Sequence, residues 1–282
     1  MFRRSIYKTP AQLRSMVEPG LITAAALDAV RPLIRAGVST LELDAAANAL
    51  ILSRGAESNF QLVRGYRHTI CVSVNEEVVH GIPGSRVLEP GDIVSVDCGA
   101  QYQGWNGDSA ITVVVPDPER PDLVARREEL SRVTEGSLWA GIAALATADH
   151  LGQVGATIQA YIEAQGPSEV SGETYGILRE YVGHGIGRKM HEAPSVFNYR
   201  TPDDGAEIKP GLAVAIEPMI TAGGEATFVE DDDWTVSTVD GSDGSHWEHS
   251  VAVHEGGIWV LTAADGGAAG LARFGVTPAP LA

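Results

Sequence analysis

With 282 residues, 44% of them apolar, the chain is long enough to bury a sizeable core and too evenly mixed to be an unstructured polar tract. Its 37 acidic against 20 basic side chains leave a formal net charge of -17, which excludes tight binding to a nucleic-acid backbone and reads chiefly as an acidic, solvated surface. Only two cysteines occur, Cys71 and Cys98, so a disulfide framework is excluded and a reducing compartment is expected.

Met1-Phe2-Arg3-Arg4 offers an arginine pair without the apolar stretch of a secretion signal. The most apolar later window, residues 21–34, holds Asp28, Arg31 and Pro32 and is too short to cross a bilayer, so a cytoplasmic protein is expected. Thr9-Pro10 is a helix start, and apolar spacing continues the helix to about residue 36 with a kink or break at Pro19-Gly20. Ser39 and Glu42 have capping-box spacing and open a second helix that Gly55 ends. Strands are expected over residues 69–74, 92–98, 101–105 and 108–115, with a turn at Asn106-Gly107. A proline-rich loop leads to helices over 123–146 and 150–165, the second ended by Gly166-Pro167. Strands return at 211–221, 228, 234–238, 247–253 and 258–261, and the tail from about 263 is expected to be irregular. Helices then strands, twice, suggest an α+β fold of two similar halves, expected to form a single domain over residues 1–282.

The chemistry sits at strand ends. Asp97 closes one apolar strand, and Asp108 follows a tight turn. Taken singly, each reads as a turn cap. Glu217 ends Ala213-Val214-Ala215-Ile216, and Glu248 opens Ser250-Val251-Ala252-Val253. Four acids at the ends of four apolar strands favour one shared cation site over four accidents. His184, between Gly183 and Gly185 in what reads as a glycine turn, joins them as a candidate ligand. Such an oxygen-rich set carries enough charge for two divalent ions, a device suited to amide hydrolysis.

The order Asp97, Asp108, His184, Glu217, Glu248 resembles the type I methionine aminopeptidases of the creatinase-like "pita-bread" superfamily. So do the runs 75–83, 181–187, 187–194 and 216–219. The likeness covers residues 9 to about 261. It implies a pita-bread fold: pseudo-twofold halves with a curved antiparallel sheet flanked by helices. It implies removal of the first methionine from nascent polypeptides whose second residue is small. The cofactor implied is a pair of divalent ions (Co, Mn, Fe or Zn), bridged by Asp108 and Glu248, with Asp97 on one ion and His184 and Glu217 on the other. It further implies that Glu217 relays a proton to the leaving amine, that His191 contacts the scissile peptide, and that His80 hydrogen-bonds the substrate. A methionine pocket is implied at Tyr66, Cys71, Met190 and Trp234. The remaining histidines, His246 and His249 among them, are expected to be structural or solvent-facing. The chain departs from the family in lacking a proline after Tyr66, in having Met190 where phenylalanine is usual, and in the bulk of Trp247. A monomer working near the ribosome, touching neither nucleic acid nor membrane, is the expectation. The alternatives are an Xaa-Pro peptidase of the same fold and a non-catalytic binding protein.

Overall fold

Thr9 and Ser39 open helices because each side chain accepts a hydrogen bond from the backbone N–H three residues on, while the Gln12 and Glu42 side chains accept from the Thr9 and Ser39 backbone N–H. The computed structural model describes residues 5–167 and 175–281; the Arg3-Arg4 pair lies outside the described residues. The first helix, Pro10–Ser15, ends earlier than Pro19-Gly20, and a second runs through that pair as Val17–Val30. A proline ring clashes with the carbonyl four residues earlier, here Ser15, so the break falls there. Pro19 itself then lies in a first turn, where an N–H has no partner to lose. Gly20 serves a close approach instead: a Cβ there would lie 2.4 Å from the Leu261 carbonyl oxygen.

The first-half strands form one continuous hairpin, Ile93–Tyr102 with Trp105–Val114, and the reversal is at Gln103-Gly104, not Asn106-Gly107. Both turn residues have positive φ, 51° and 72°, as a two-residue hairpin with the strands' own twist requires. Asn106 and Gly107 are strand residues. The Asn106 amide donates to the Gly187 carbonyl (2.9 Å), and Gly107 lets the strand lie directly on Gly20.

That hairpin forms the middle of a nine-stranded sheet. Its order is Glu57–Ser58, Ile93–Tyr102, Trp105–Val114, Glu248–His254, Ala213–Ile216, Gly183–Gly185, Glu192–Val196. Ile70–Val74 also pairs with the second of these strands and Gly257–Val260 with the fourth. The sheet is antiparallel and curled into a half-barrel. The two sequence halves therefore share one sheet, joined where Glu248 pairs with Ala110. Helix Val17–Val30 covers the first-half hairpin, and Pro121–Ala144 packs beside Leu151–Gln165. Between helices and sheet lies a core that includes Ile22, Leu43, Val96, Leu138, Ile158 and Val214. The tail is not wholly irregular: Ala268–Ala272 is a short helix that buries Leu271, and the Ala279 N–H donates to the Ile258 carbonyl (3.0 Å).

Candidate metal centre and substrate pocket

Strand alternation sets the site. Residues paired across an antiparallel ladder share a face, as do residues two apart. Ala110 has Asp97 opposite it on one side and Glu248 on the other. Asp108 lies two residues from Ala110 on the same face. Ala215 pairs with His184, and Glu217 lies two residues beyond Ala215. All five side chains thus point to one side of the sheet. Asp97 and Asp108 are mid-strand rather than at strand ends, because the ladder between the two strands runs unbroken past both, from Ile93 opposite Val114 to Tyr102 opposite Trp105. His184 lies in a strand, not a turn.

The five converge. Ligand-capable atoms lie within 4.8 Å of one another in three groups: Asp97, Asp108, Glu248; His184, Glu217, Glu248; and Asp108, His184, His191. Asp108, His184 and Glu248 each belong to two groups, and of these Asp108 and Glu248 group with both Asp97 and His184. One oxygen each of Asp97, Asp108 and Glu248 is buried with no hydrogen-bond partner. Burial pushes Asp97 up to about 7. Burial first, then the neighbouring carboxylates, drives Asp108, Glu217 and Glu248 well above the usual range. Burial, with His191 beside it, lowers His184 to about 4, so its ring is neutral at pH 7. The His184 Nδ1 faces the Gly185 carbonyl at 3.0 Å, which leaves Nε2 a free lone pair directed at Glu217 Oε1, 3.4 Å away. Carboxylates this close cannot all be ionised in a dry site without a cation. Orphaned oxygens, mutual repulsion and a neutral imidazole are what a divalent ion would relieve, so the residues fit metal.

Beside the cluster is a cavity of about 130 Å³ lined on one wall by Phe60, Val63, Tyr66, Cys71, Met190 and Trp234. Tyr66 meets Phe60 and Trp234 edge-on at 6.3 and 5.0 Å, and its hydroxyl donates to the Ile70 carbonyl (2.7 Å). Burial raises the Cys71 thiol well above its ordinary value, which keeps it protonated at neutral pH. All four residues expected in the pocket line it. Phe60 and Val63 line it too, with no signal in the sequence, because Phe60 opens and Val63 follows a short 3-10 turn that has no periodic pattern.

His80 and His191 face the same cavity. His80 is held at φ 62°, a conformation rare outside glycine and of the kind found at functional sites. His191 stacks edge-on against His184 at 4.4 Å. Burial lowers both rings, His80 to about 4. His249 is structural, with Nδ1 between Ser109 Oγ and Thr262 Oγ1 at 3.3 and 2.9 Å. His246 is neither solvent-facing nor satisfied: it is 1% exposed, and its Nε2 has no partner.

Comparison with known proteins agrees with this geometry. Residues 14–255 match metallopeptidase family M24. Methionine aminopeptidase 1 of Bacillus subtilis is 43% identical over 257 residues, 91% of this chain and 98% of that protein. The crystal structure of a methionine aminopeptidase from Thermotoga maritima superposes with a TM-score of 0.82 at 38% identity, over 93% of this chain and 99% of that one. A prolidase from Pyrococcus furiosus shares the fold alone: TM-score 0.68, 21% identity, 92% of this chain but 65% of that one. The pita-bread architecture expected from the sequence is the one present. Strand register, convergent ligands and these likenesses agree: the chain belongs to metallopeptidase family M24, among its methionine aminopeptidases.

Proposed function

We propose that this chain hydrolyses the first peptide bond of nascent polypeptides that begin with methionine and carry a small second residue, the whole chain acting as one catalytic domain. The observation that carries the reading is the convergence of Asp97, Asp108, His184, Glu217 and Glu248 beside an apolar, thioether-sized cavity. Two divalent ions are proposed. Asp108 and Glu248 would serve both, since each groups with Asp97 and also with His184; Asp97 would help hold one ion, and His184 with Glu217 the other. Bound there, such ions acidify a water and polarise a carbonyl. Mn, Fe, Co and Zn all suit this mixed oxygen and nitrogen set.

The chain's own groups do the rest. Phe60, Tyr66, Cys71, Met190 and Trp234 take the methionine side chain, whose sulfur favours aromatic walls. His80 and His191, neutral at pH 7, offer N–H donors to the scissile peptide and to the oxygen that gathers charge as the carbonyl is attacked. Glu217 takes the proton of the attacking water and hands it to the departing amine nitrogen. Among the described residues no helix is long and apolar enough to cross a membrane. Two buried thiols outside any disulfide suit a reducing compartment, which supports a cytoplasmic setting; action as a monomer on chains leaving the ribosome completes the proposal.

Metal-supplemented protein is expected to release methionine from Met-Gly-Met and to leave Gly-Pro dipeptides intact. Release assays on the two substrates decide between this reading and an Xaa-Pro peptidase, and turnover of neither would favour a binding protein. Phe60→Ala should raise KM for Met-Gly-Met by roughly 10–200-fold with kcat little changed, since a hydrophobic wall contributes mainly to binding. An unchanged KM would remove Phe60 from the pocket.

A further inference from the structure

We propose that His246 is a positioning residue for Glu217: its Nε2–H donates to Glu217 Oε2 and thereby holds Oε1 toward His184 and the ligand cluster. The inference deepens the proposed function and rests on the role given there to Glu217.

The two oxygens of Glu217 face two imidazoles. Oε1 is 3.4 Å from His184 Nε2, and Oε2 is 3.8 Å from His246 Nε2. His246 is buried, and that nitrogen has no hydrogen-bond partner. A buried N–H without an acceptor is costly, and native interiors rarely leave one. Among the described residues Glu217 is the one carboxylate within 4.0 Å of it. The distance is a few tenths of an ångström beyond a good hydrogen bond, a gap that rotation of the carboxylate closes.

Both residues hang from fixed backbone. The His246 N–H donates to Ser95 Oγ and Thr112 Oγ1 at 3.2 and 3.1 Å, and its carbonyl accepts from Thr112 Oγ1 at 2.7 Å. The Glu217 carbonyl accepts from the Asn198 amide at 3.1 Å. Just beyond Glu217, Met219 pairs with His246 across the Met219–Thr221 and Gly244–His246 strands, and the Trp247 N–H reaches the Pro218 carbonyl at 3.4 Å. The backbones that carry the ring and the carboxylate are therefore fixed, with His246 nearest one Glu217 oxygen and His184 nearest the other. Partners that orient a ligand from behind commonly change activity or metal affinity by roughly 10–100-fold when removed.

The test uses the full chain with saturating Mn²⁺, and compares His246→Leu with His246→Gln, whose amide restores a donor. The leucine variant is expected to lower kcat for Met-Gly-Met by roughly 10–100-fold with KM within about twofold, and to weaken Mn²⁺ binding to metal-free protein in calorimetry. The glutamine variant should recover most of both losses. Full activity in His246→Leu, or equal loss in both variants, overturns the proposal. If the leucine variant fails to fold, NMR of the parent decides. A protected imidazole N–H resonance that vanishes in His246→Gln and moves in Glu217→Gln supports the bond, and its absence overturns it. Undiminished turnover in Glu217→Gln would sink the role of Glu217 itself. An inactive Glu217→Gln beside a fully active His246→Leu would sink only the present inference.

Discussion

Replacing Glu217 with glutamine is expected to lower kcat by about 10²–10⁴-fold, the usual contribution of a general base. The substitution keeps the side-chain volume and one carbonyl oxygen, so the buried site between Ala215 and Pro218 is not opened. What disappears is the group that can accept a proton from water and pass it to nitrogen. KM should change far less than kcat, because the subsite proposed for the methionine side chain is the other wall of the cavity, at Tyr66 and Trp234. Methionine release at saturating Mn²⁺, with bound metal measured on the same samples, checks this. Turnover within a few-fold of the parent would show that protons travel by another route.

Removing metal is expected to destabilise the protein, and increasingly so as pH rises. In the metal-free fold, burial raises Asp97 to about 7 from an ordinary 3.8, and Asp108, Glu217 and Glu248 also move upward. A group whose folded pKa lies above its unfolded value stabilises the fold at low pH. That stability is lost as pH climbs through the folded value. For Asp97 the loss runs from about 3.8 to about 7. With cations present all four carboxylates are ionised in both states, and the loss vanishes. Ligand at 100 times its Kd stabilises by about 2.7 kcal/mol, which for a chain of this size is about 5 °C in Tm near neutrality. Melting curves between about pH 5 and pH 8, with and without chelator, should therefore diverge as pH rises. Parallel curves would mean that the carboxylates do not titrate as a buried group.

Much of this was legible in the sequence because the signals were local. Thr9 and Ser39 announce helices through chemistry completed within four residues. The candidate ligands stood out because an acid beside an apolar strand segment is costly to bury alone. Less legible was whatever depended on distant partners. Asn106-Gly107 has the composition of a turn, yet Asn106 pairs with Gly187 and Gly107 meets Gly20, and these contacts outrank the local preference. Phe60 carries no pattern until Tyr66 and Trp234 are beside it. His246 looked like a spare polar residue, because only register against Met219 turns its ring inward.

The shared sheet has a consequence for synthesis. Ser109 Oγ donates to the Glu248 carbonyl across 139 residues, and Ser250 Oγ to the Asp108 carbonyl across 142. Neither the first-half hairpin nor the later strands can assemble the centre alone. Contacts so far apart along the chain form late and slowly. A growing chain on the ribosome therefore stays inert until the segment bearing Glu248 has cleared the exit tunnel, and fragments that stop short of it should neither hold metal at this centre nor cleave peptides.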